Sequence, residues 1–376
     1  MNPEVQLTAA LAAIDKAAAK SSDSRLVAAK CRGLMHGYHA RWKDAGYESL
    51  AVEVVIHKNL TNPATWRSSR TFTLAGKLDV IAHYAGRTVI VDHKTTSEDI
   101  ADPNATYWQQ LAVEGQVNQY MLLAWMDGCK ADNALWDVIR KPDIRPRKMT
   151  KAERGHVVAT GKWFEREVSD DERQEIAAGG DTESLAMYEG RLAHDCTVER
   201  PERYFQRRMV PRLDGEIIEY AAEVWEHSQE MIAAAQRAKE TQRLPPRNSG
   251  ACLLYGSPCS FLGICSGHDT PDSERWQRKA EVHRELDSAV GEGRDVLTNS
   301  RIRCFQTCRR KEFYQYQLGI ERVREEEKES LFFGTCFHSG MRAWWEHLLV
   351  SPQENPYVNR CNDSAVDEIA ESAAQP

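Results

Sequence analysis

Residues 76–97, GKLDVIAHYAGRTVIVDHKTTS, decide the fold. Two runs with strand-forming residues, 78–84 and 87–92, stand on either side of Ala85-Gly86, and this arrangement predicts two strands joined by a two-residue turn. The second run is apolar over consecutive positions before its aspartate, which is typical of a buried strand. The stretch therefore predicts a β-hairpin within the core of an α/β domain.

The register of this hairpin brings charged residues together. With Ala85-Gly86 as the loop, each cross-strand pair lies one residue further out on both strands, so Asp79 lies opposite Asp92 and Lys77 opposite Lys94. Carboxylates that face each other on neighbouring strands repel, and they need a cation between them. Because side chains alternate between faces, Lys94 shares the face of Asp92. The hairpin thus predicts a divalent-metal site with an ammonium group beside it.

Such a site suits the hydrolysis of a phosphodiester. A hard cation such as Mg²⁺ is held by a few carboxylates, polarises a phosphoryl oxygen and lowers the pKa of an attacking water. Lys94 would position that water or stabilise the developing negative charge. The alternative is that Asp79 and Asp92 are solvated residues beside a turn, each paired with a lysine. The apolar run before Asp92 weighs against that alternative.

Further elements are predicted around the hairpin. Residues 5–45 read as helical, residues 51–57, 70–74 and 135–139 as strands, and residues 108–127 as one amphipathic helix that ends at Gly128. Gln116 and Tyr120 are four residues apart and therefore lie on one face of that helix. Taken alone, a glutamine and a tyrosine at this spacing are more often surface and core residues.

These motifs resemble those of the PD-(D/E)XK nuclease superfamily. Asp79 matches the first acidic residue of the family, Asp92 the second and Lys94 the lysine, while Gln116 and Tyr120 match the QxxxY motif of its RecB-like branch. The resemblance implies a restriction-endonuclease-like core, in which a small mixed sheet is flanked by helices. It also implies catalytic roles for these five residues, with Mg²⁺ or Mn²⁺ as the cofactor.

Ten cysteines in a chain without a secretory signal suggest metal sites rather than disulfides. Cys252, Cys259 and Cys265 give C-x6-C-x5-C, which is one ligand short of a tetrahedral thiolate site. The fourth ligand must come from elsewhere in the chain. Zinc and an iron-sulfur cluster both accept four thiolates, and the spacing alone does not choose between them.

The run LTNSRIRCFQTCRRKEFYQYQLGI, residues 297–320, resembles the opening of RecB-like iron-sulfur nucleases. In those proteins a cysteine before basic and aromatic residues joins three others to hold a [4Fe-4S] cluster. Cys308 matches that position, whereas Cys304 is an additional thiol. Further on, His338 matches the histidine that completes the catalytic metal shell, and the backbone carbonyl of His93 is a further candidate ligand. The alternative for His338 is an ordinary core histidine, because it shares a helix face with Met341 and Trp345.

The motifs stand in an unusual order, because in the family the segment with Cys308 and His338 comes first. We interpret the order as a circular permutation; the alternative is that the sequence joins pieces of neighbouring reading frames. Residues 1–268 then form the nuclease core with the three-cysteine segment, and residues 269–295 form a linker or an exposed helix. Residues 296–350 carry the helices of Cys308 and His338 in the same domain, and residues 351–376 form a polar tail.

Charge and hydropathy limit the classes of function. The net charge of −7 argues against a uniformly basic nucleic-acid-binding surface, although a basic track spans residues 140–154. We weigh that track as a solvated surface first and as a phosphate contact second. No apolar run is long enough to suggest a membrane span, so we expect a cytoplasmic protein that does not bind membranes.

The resemblance implies a metal-dependent DNA exonuclease that acts on single strands or DNA ends in recombination, repair or the replication of a mobile element. Other recombination or replication proteins are candidate partners. Tyr314, Tyr316, Arg309 and Arg310 either contact the DNA or pack on the cluster. Two rival functions are a noncatalytic DNA-binding subunit and a zinc-stapled assembly protein on the same fold. Loss of the acidic residues or the lysine would have favoured the first rival, but all three are present.

Overall fold

The computed structural model describes residues 3–21, 24–283, 286, 293–323 and 329–349. It is a mixed α/β fold with one central sheet flanked by helices, as the sequence predicts. The strands are β1 (Glu48–Thr61), β2 (Ser68–Tyr84), β3 (Arg87–Thr96), β4 (Asn133–Arg140), β5 (Lys162–Trp163), β6 (Arg166–Glu167), β7 (Phe205–Pro211), β8 (Trp276–Arg278), β9 (Asp295–Leu297) and β10 (Ile320–Arg322).

The longer helices supply the two layers that cover the sheet, and short helices connect them. They are α1 (Pro3–Ala18), α2 (Arg25–Trp42), α3 (Thr106–Ala112), α4 (Gly115–Met126), α5 (Lys151–Thr160), α6 (Asp170–Ala177), α7 (Leu185–His194), α8 (Pro201–Tyr204), α9 (Asp214–Thr241), α10 (Leu262–Ser266), α11 (Asn299–Thr307), α12 (Arg309–Glu312) and α13 (Glu329–Glu346). None of the helices in the described ranges is long and apolar enough to cross a membrane.

The central sheet has the order β1-β2-β3-β4-β7, with β9 added on β2. β3 and β4 are parallel, β9 is parallel to β2, and the other neighbours are antiparallel. Residues 70–84 were predicted as two strands but form one, because β2 continues through Gly76, where Leu123 leaves no room for a side chain. β1 pairs with β2 along nearly its whole length.

The predicted hairpin register is correct near the turn and fails further out. Tyr84 pairs with Arg87, and the ladder continues in step as far as Val80 and Val91. Beyond that pair β3 leaves β2 and continues beside β4, so the expected pairs of Asp79 with Asp92 and of Lys77 with Lys94 are not part of the ladder. β9 occupies the same edge of β2 at residues 72–74. A fork therefore opens along β2 between β3 and β9.

Both faces of the sheet are packed by residues from the beginning and the end of the chain. One core joins α4 and α9 to Leu297, Ile302 and Phe305 of the C-terminal part. The other joins α1 and α2 to α13, where Gln6 also donates to the carbonyl of Trp344. Residues 3–268 and 296–349 thus share their hydrophobic cores. The predicted tail, residues 351–376 with Cys361, lies outside the described residues.

The predicted helix over residues 108–127 is two helices, α3 and α4. The backbone of Glu114 is extended, and Gly115 packs its α-carbon against the Tyr220 ring, where a side chain would crowd. The break places Gln116 in the first turn of α4. Gly128 has the left-handed backbone (φ 84°) expected of a residue after a helix.

Residues 269–283 do not form an exposed helix. They contain β8, which pairs with β10, and the ring of Trp276 is buried against Phe261 with a centroid distance of 5.3 Å. Leu286 is also buried, beside Ala75 and Val296. The segment therefore packs on the protein at both described points, and the exact domain boundaries remain a prediction.

Candidate active site

Asp92 and Lys94 project from β3 toward α4 and form the centre of the site. The Lys94 Nζ lies 2.9 Å from Asp92 Oδ2 and donates to Gln116 Oε1 at 2.6 Å. The Gln116 Nε2 in turn donates to the Tyr120 hydroxyl at 2.7 Å. Four of the predicted residues thus form one continuous chain of contacts. The break between α3 and α4 makes this possible, because it brings the start of α4 over β3.

Asp79 lies in the fork, where β3 has separated from β2. Its carboxylate accepts the backbone N–H of His93 at 2.8 Å instead of facing Asp92 in a regular pair. This bond fixes the first acidic residue against the backbone between Asp92 and Lys94. The predicted opposition of Asp79 and Asp92 across the hairpin is therefore wrong, because β3 has left β2 at this point.

The electrostatics of Asp92 and Lys94 differ from those of surface groups. Burial raises the pKa of Asp92 to about 6, with Lys94 opposing and Asp79 adding to the shift. Burial alone would lower the pKa of Lys94, but the charges of Asp92, Asp79 and Glu114 raise it above its usual value. Asp92 is 4% exposed, and its buried Oδ2 faces the Lys94 ammonium at 2.9 Å.

His338 of α13 lies beside the ring of His93. Its ring centroid is 6.2 Å from that of His93. Burial lowers the pKa of His338, and Asp79 opposes this shift, so the imidazole is neutral near pH 7. No hydrogen bond joins its nitrogens to any described residue. A neutral, unbonded imidazole is the form that binds metal ions.

Glu53 is a further carboxylate at the fork. It lies in β1 between Val52 and Val54, whose partners Val80 and Leu78 flank Asp79. Its backbone is in the left-handed region (φ 56°), which is costly for a residue other than glycine. The carboxylate forms an ion pair of 2.5 Å with Lys77. Lys77 therefore pairs with Glu53 of β1 and does not lie opposite Lys94, as the hairpin register had predicted.

The ring of His93 lies on the opposite face of the sheet from Asp92. Its Nδ1 is 3.3 Å from Asp137 Oδ2, and Asp137 also accepts from the Tyr38 hydroxyl at 2.5 Å and from Arg207 at 3.1 Å. Burial lowers the pKa of His93, but Asp137 outweighs it and raises the pKa. Asp137 thus holds one nitrogen of the His93 ring on this face, and the backbone carbonyl of His93 stays a candidate metal ligand.

The sequence-based analysis missed this buried network. Asp137 is fully buried, and Arg207 and His93 hold its pKa far below the usual range despite that burial. The guanidinium of Arg207 is enclosed by four aromatic rings at 4.2 to 5.5 Å, those of Tyr38, Trp42, Tyr47 and Trp345. The available signal was Asp137, an acidic residue within the apolar strand β4. The same kind of signal, an aspartate after an apolar run, identified Asp92 in β3.

The four cysteines of the predicted cluster line one cavity of about 330 Å³. Cys252, Cys259 and Cys265 come from the loop after α9, and Cys308 lies between α11 and α12. The backbone N–H of Asn248 points at the Cys308 sulfur at 3.4 Å, and the Asn248 amide donates to the Thr307 carbonyl. The structure thus brings the three-cysteine segment and Cys308 together at this cavity.

The surroundings of the cavity are basic and aromatic. Arg247, Arg310 and Lys311 line it, together with Phe261 and Tyr314. Tyr314 and Tyr316 are 2% and 8% exposed, and only Tyr314 lines the cavity, whereas Tyr316 packs against His283 and Arg301. Arg309 pairs with Glu230, and Arg310 donates to the Pro245 carbonyl. Cys304 is buried, and burial raises its pKa to about 12.

Within the described ranges, no three His, Cys, Asp or Glu side chains are placed closely enough to hold a single metal ion. At the fork, Asp92 is engaged by Lys94 and Asp79 by the His93 N–H. At the cavity, the thiols are spread over its wall.

The predicted basic track is neutralised in part. Arg140 pairs with Asp99, Arg147 with Glu153 and Lys148 with Asp181. Three of its seven basic residues are therefore engaged by carboxylates.

A comparison with family models matches residues 2–266 and 296–376 to the model described as the PD-(D/E)XK nuclease superfamily. No curated protein and no solved structure matches the chain.

Proposed function

The chain belongs to the PD-(D/E)XK nuclease superfamily, and from this premise we propose that it is a metal-dependent deoxyribonuclease that degrades single strands or DNA ends. The observation that carries the proposal is that Asp79, Asp92 and Lys94 lie where β3 leaves β2, with Asp79 bound to the His93 N–H and Lys94 to Asp92. Membership of the superfamily supports a nuclease, and the exonuclease activity is part of our proposal.

Asp79, Asp92 and His338 would hold Mg²⁺ or Mn²⁺, with the carbonyl of His93 as a further ligand. The donor types suit such an ion, because Asp79 and Asp92 supply carboxylate oxygens and the lowered pKa of His338 favours a neutral imidazole. Binding would draw these side chains closer together and replace the contact of Asp92 with Lys94. When bound, the ion would supply Lewis acidity to a phosphoryl oxygen and lower the pKa of a water. Asp79 keeps its orientation through the His93 N–H, so it need not be ordered when the ion binds.

Lys94, Gln116 and Tyr120 would handle the charge of the reacting phosphate. The ammonium of Lys94 stays protonated because three carboxylates raise its pKa. Gln116 holds it at 2.6 Å from the side away from Asp92, and Tyr120 fixes the orientation of the glutamine amide. A cation held in this way stabilises negative charge without reorganising during the reaction.

The cysteine cavity would hold a [4Fe-4S] cluster, as in the RecB-like branch. A zinc ion needs Zn–S distances of about 2.3 Å, which brings thiolate sulfurs to roughly 3.8 Å from one another. The four thiols surround about 330 Å³ of space, which is room for a group larger than a single ion. The basic residues Arg247, Arg310 and Lys311 complement the negative charge of a thiolate-bound cluster.

The order of the motifs supports a circular permutation. The segment that carries Cys308 and His338 contributes to both hydrophobic cores, so it acts as part of the nuclease domain although it follows the other motifs in the chain. With this reading, residues 1–268 and 296–350 form one domain. Recombination, repair and mobile-element replication are the proposed processes, because they produce the free DNA ends that such an enzyme degrades.

The test is to incubate the anaerobically purified protein with end-labelled single-stranded and double-stranded DNA and with circular single strands. We expect cleavage of linear DNA in Mg²⁺ or Mn²⁺, none in EDTA, and little cleavage of circles. The noncatalytic rival predicts DNA binding without cleavage in any metal. The zinc-stapled rival predicts a colourless protein that neither binds nor cleaves.

A further inference from the structure

Two consecutive arginines of β7 lie on opposite faces of the sheet. Arg207 points to Asp137 behind the site, whereas Arg208 lies on the face of Asp92. In the register of the sheet, Asp92 is the neighbour of Trp136, and Trp136 is the neighbour of Arg208. Lys94 lies over the Trp136 ring at 5.1 Å. The three side chains form a row, and two strand spacings place Arg208 about 10 Å from Asp92.

The guanidinium of Arg208 is held in place. It lies 3.8 Å from the centroid of the Trp108 ring, and its Nη1 donates to the carbonyl of Pro103 at 3.0 Å. Trp108 is fixed as well, because its indole N–H donates to the Ile100 carbonyl. A planar cation on an aromatic ring keeps its remaining N–H groups in a fixed direction.

This arginine has no acidic partner among the residues that the structure describes. Burial lowers the pKa of Arg208, and Asp102, which acts in the opposite direction, is not within ion-pair distance. By contrast, Arg140, Arg147 and Lys148 of the former basic track each pair with a carboxylate. A partly buried cation without an anion on the active face is incomplete until an anion binds.

We propose that Arg208 binds a phosphate of the DNA strand next to the phosphate that is cleaved. The proposal rests on the proposed function. The row from Asp92 to Arg208 gives the direction in which the strand runs across the sheet, over Trp136. Arg208 touches the substrate away from the reacting atoms, so it contributes binding rather than chemistry.

The test compares Arg208→Gln with Arg87→Gln, which removes the same charge from an exposed position at the hairpin turn. Binding of a fluorescent single-stranded oligonucleotide is measured in EDTA over a series of salt concentrations. Each phosphate contact on a single strand contributes a slope of about −0.7 in log K against log salt, so Arg208→Gln should lose about 0.7 from the slope. Its affinity should fall about tenfold or more. In Mg²⁺, KM should rise while kcat changes little.

Arg87→Gln should leave the slope and KM unchanged. If Arg208→Gln behaves like Arg87→Gln while the wild type binds and cleaves DNA, the assignment of Arg208 is wrong and the proposed function stands. If the wild type neither binds nor cleaves DNA, the proposed function itself fails. Should Arg208→Gln unfold, Arg208→Lys decides: weaker binding with an unchanged slope supports the contact, and wild-type affinity overturns it.

Discussion

The carboxylate of Asp79 accepts a backbone N–H, and Asp132, at the other end of β3, does the same with Thr88 at 2.8 Å. This similarity gives a matched pair of substitutions. Asp79→Asn keeps an acceptor for the His93 N–H but removes a charge from the fork, so we expect cleavage to fall by more than about 100-fold, since partners one shell further out already contribute 10–100-fold. The unfolding temperature should be unchanged. Nuclease assays and thermal unfolding in EDTA measure both.

Asp132→Asn should cleave DNA like the wild type. Lys94→Ala should resemble Asp79→Asn in activity, because Gln116 alone cannot supply the positive charge. His338→Ala should retain reduced activity, since waters can replace one ligand. If Asp79→Asn cleaves normally, or if it unfolds, the fork is not a metal site.

The buried network behind the site makes a separate demand on stability. Asp137 is the only described carboxylate in contact with the guanidinium of Arg207, which is itself 5% exposed. Asp137→Ala should lower the free energy of unfolding by about 3–5 kcal/mol, because it leaves a buried cation unpaired. Asp143→Ala removes the exposed partner of Arg203 and should change the free energy of unfolding by less than about 1 kcal/mol. Urea denaturation distinguishes them; equal effects would mean that the network contributes no more than a surface pair.

At the scale of elements, the sequence predicts the hairpin of β2 and β3 well. It predicts the helix that carries Gln116 and Tyr120 poorly. Alternation and a two-residue turn fix five pairs of the β2–β3 ladder, because local backbone geometry decides them. The point where β3 leaves β2 depends on β4 and β9, which are distant in sequence. The break between α3 and α4 lies at Gly115, where a side chain would crowd Tyr220 of α9. Neither partner is visible in a local window.

The cysteine segment gives a prediction about an element as a unit. Purified without oxygen, the protein should be brown with about four irons per chain if the cavity holds a [4Fe-4S] cluster. Single serine substitutions at the four lining cysteines should lose colour and stability together, because a closed site contributes folding free energy. These substitutions are Cys252→Ser, Cys259→Ser, Cys265→Ser and Cys308→Ser.

The control lies one helical turn from Cys308. Cys304→Ser should keep both colour and stability, because burial keeps its thiol protonated and it does not line the cavity. Iron and sulfide analysis, visible absorption and thermal unfolding measure the outcome. A colourless protein with one zinc per chain would refute the cluster and leave the nuclease proposal standing.

At the scale of the whole molecule, the last part of the chain completes structures that the first part begins. β9 occupies the edge of β2 that β3 vacates, and α13 covers the face where α1 and α2 lie. Lys30 pairs with Glu329, and Ser49 N donates to the Leu348 carbonyl. The motif order in the sequence suggested this arrangement. Cys308 has to meet the three cysteines of the first part, and His338 has to reach the acidic residues there. Its geometry was not predictable, because it depends on packing between distant segments.

This arrangement predicts that the chain can be reopened elsewhere. A rebuilt chain would start just before Asp295, run to the present C-terminus, continue through a flexible linker into residue 1, and end after Leu286. The cut must spare Leu286, which is 1% exposed beside Ala75 and Val296. Because Gln6 and Trp344 are already in contact, the linker joins regions that lie close together. Closure entropy grows slowly with length, so stability should fall by about 1–2 kcal/mol at most.

The rebuilt chain should bind the same cluster and cleave the same DNA, measured by absorption and by the end-labelled assay. A second rebuilt chain, opened at Gly76 inside β2, serves as the control and should not fold, because it cuts the strand that pairs with β1, β3 and β9. If both rebuilt chains fail, residues 269–294 are part of the folded core and the circular permutation is wrong. If the chain in its present order lacks cluster and activity while the first rebuilt chain has both, the present order arose when reading frames were joined. In either case the chemistry of the fork is tested separately, because Asp79, Asp92 and Lys94 all lie within the single stretch of β2 and β3.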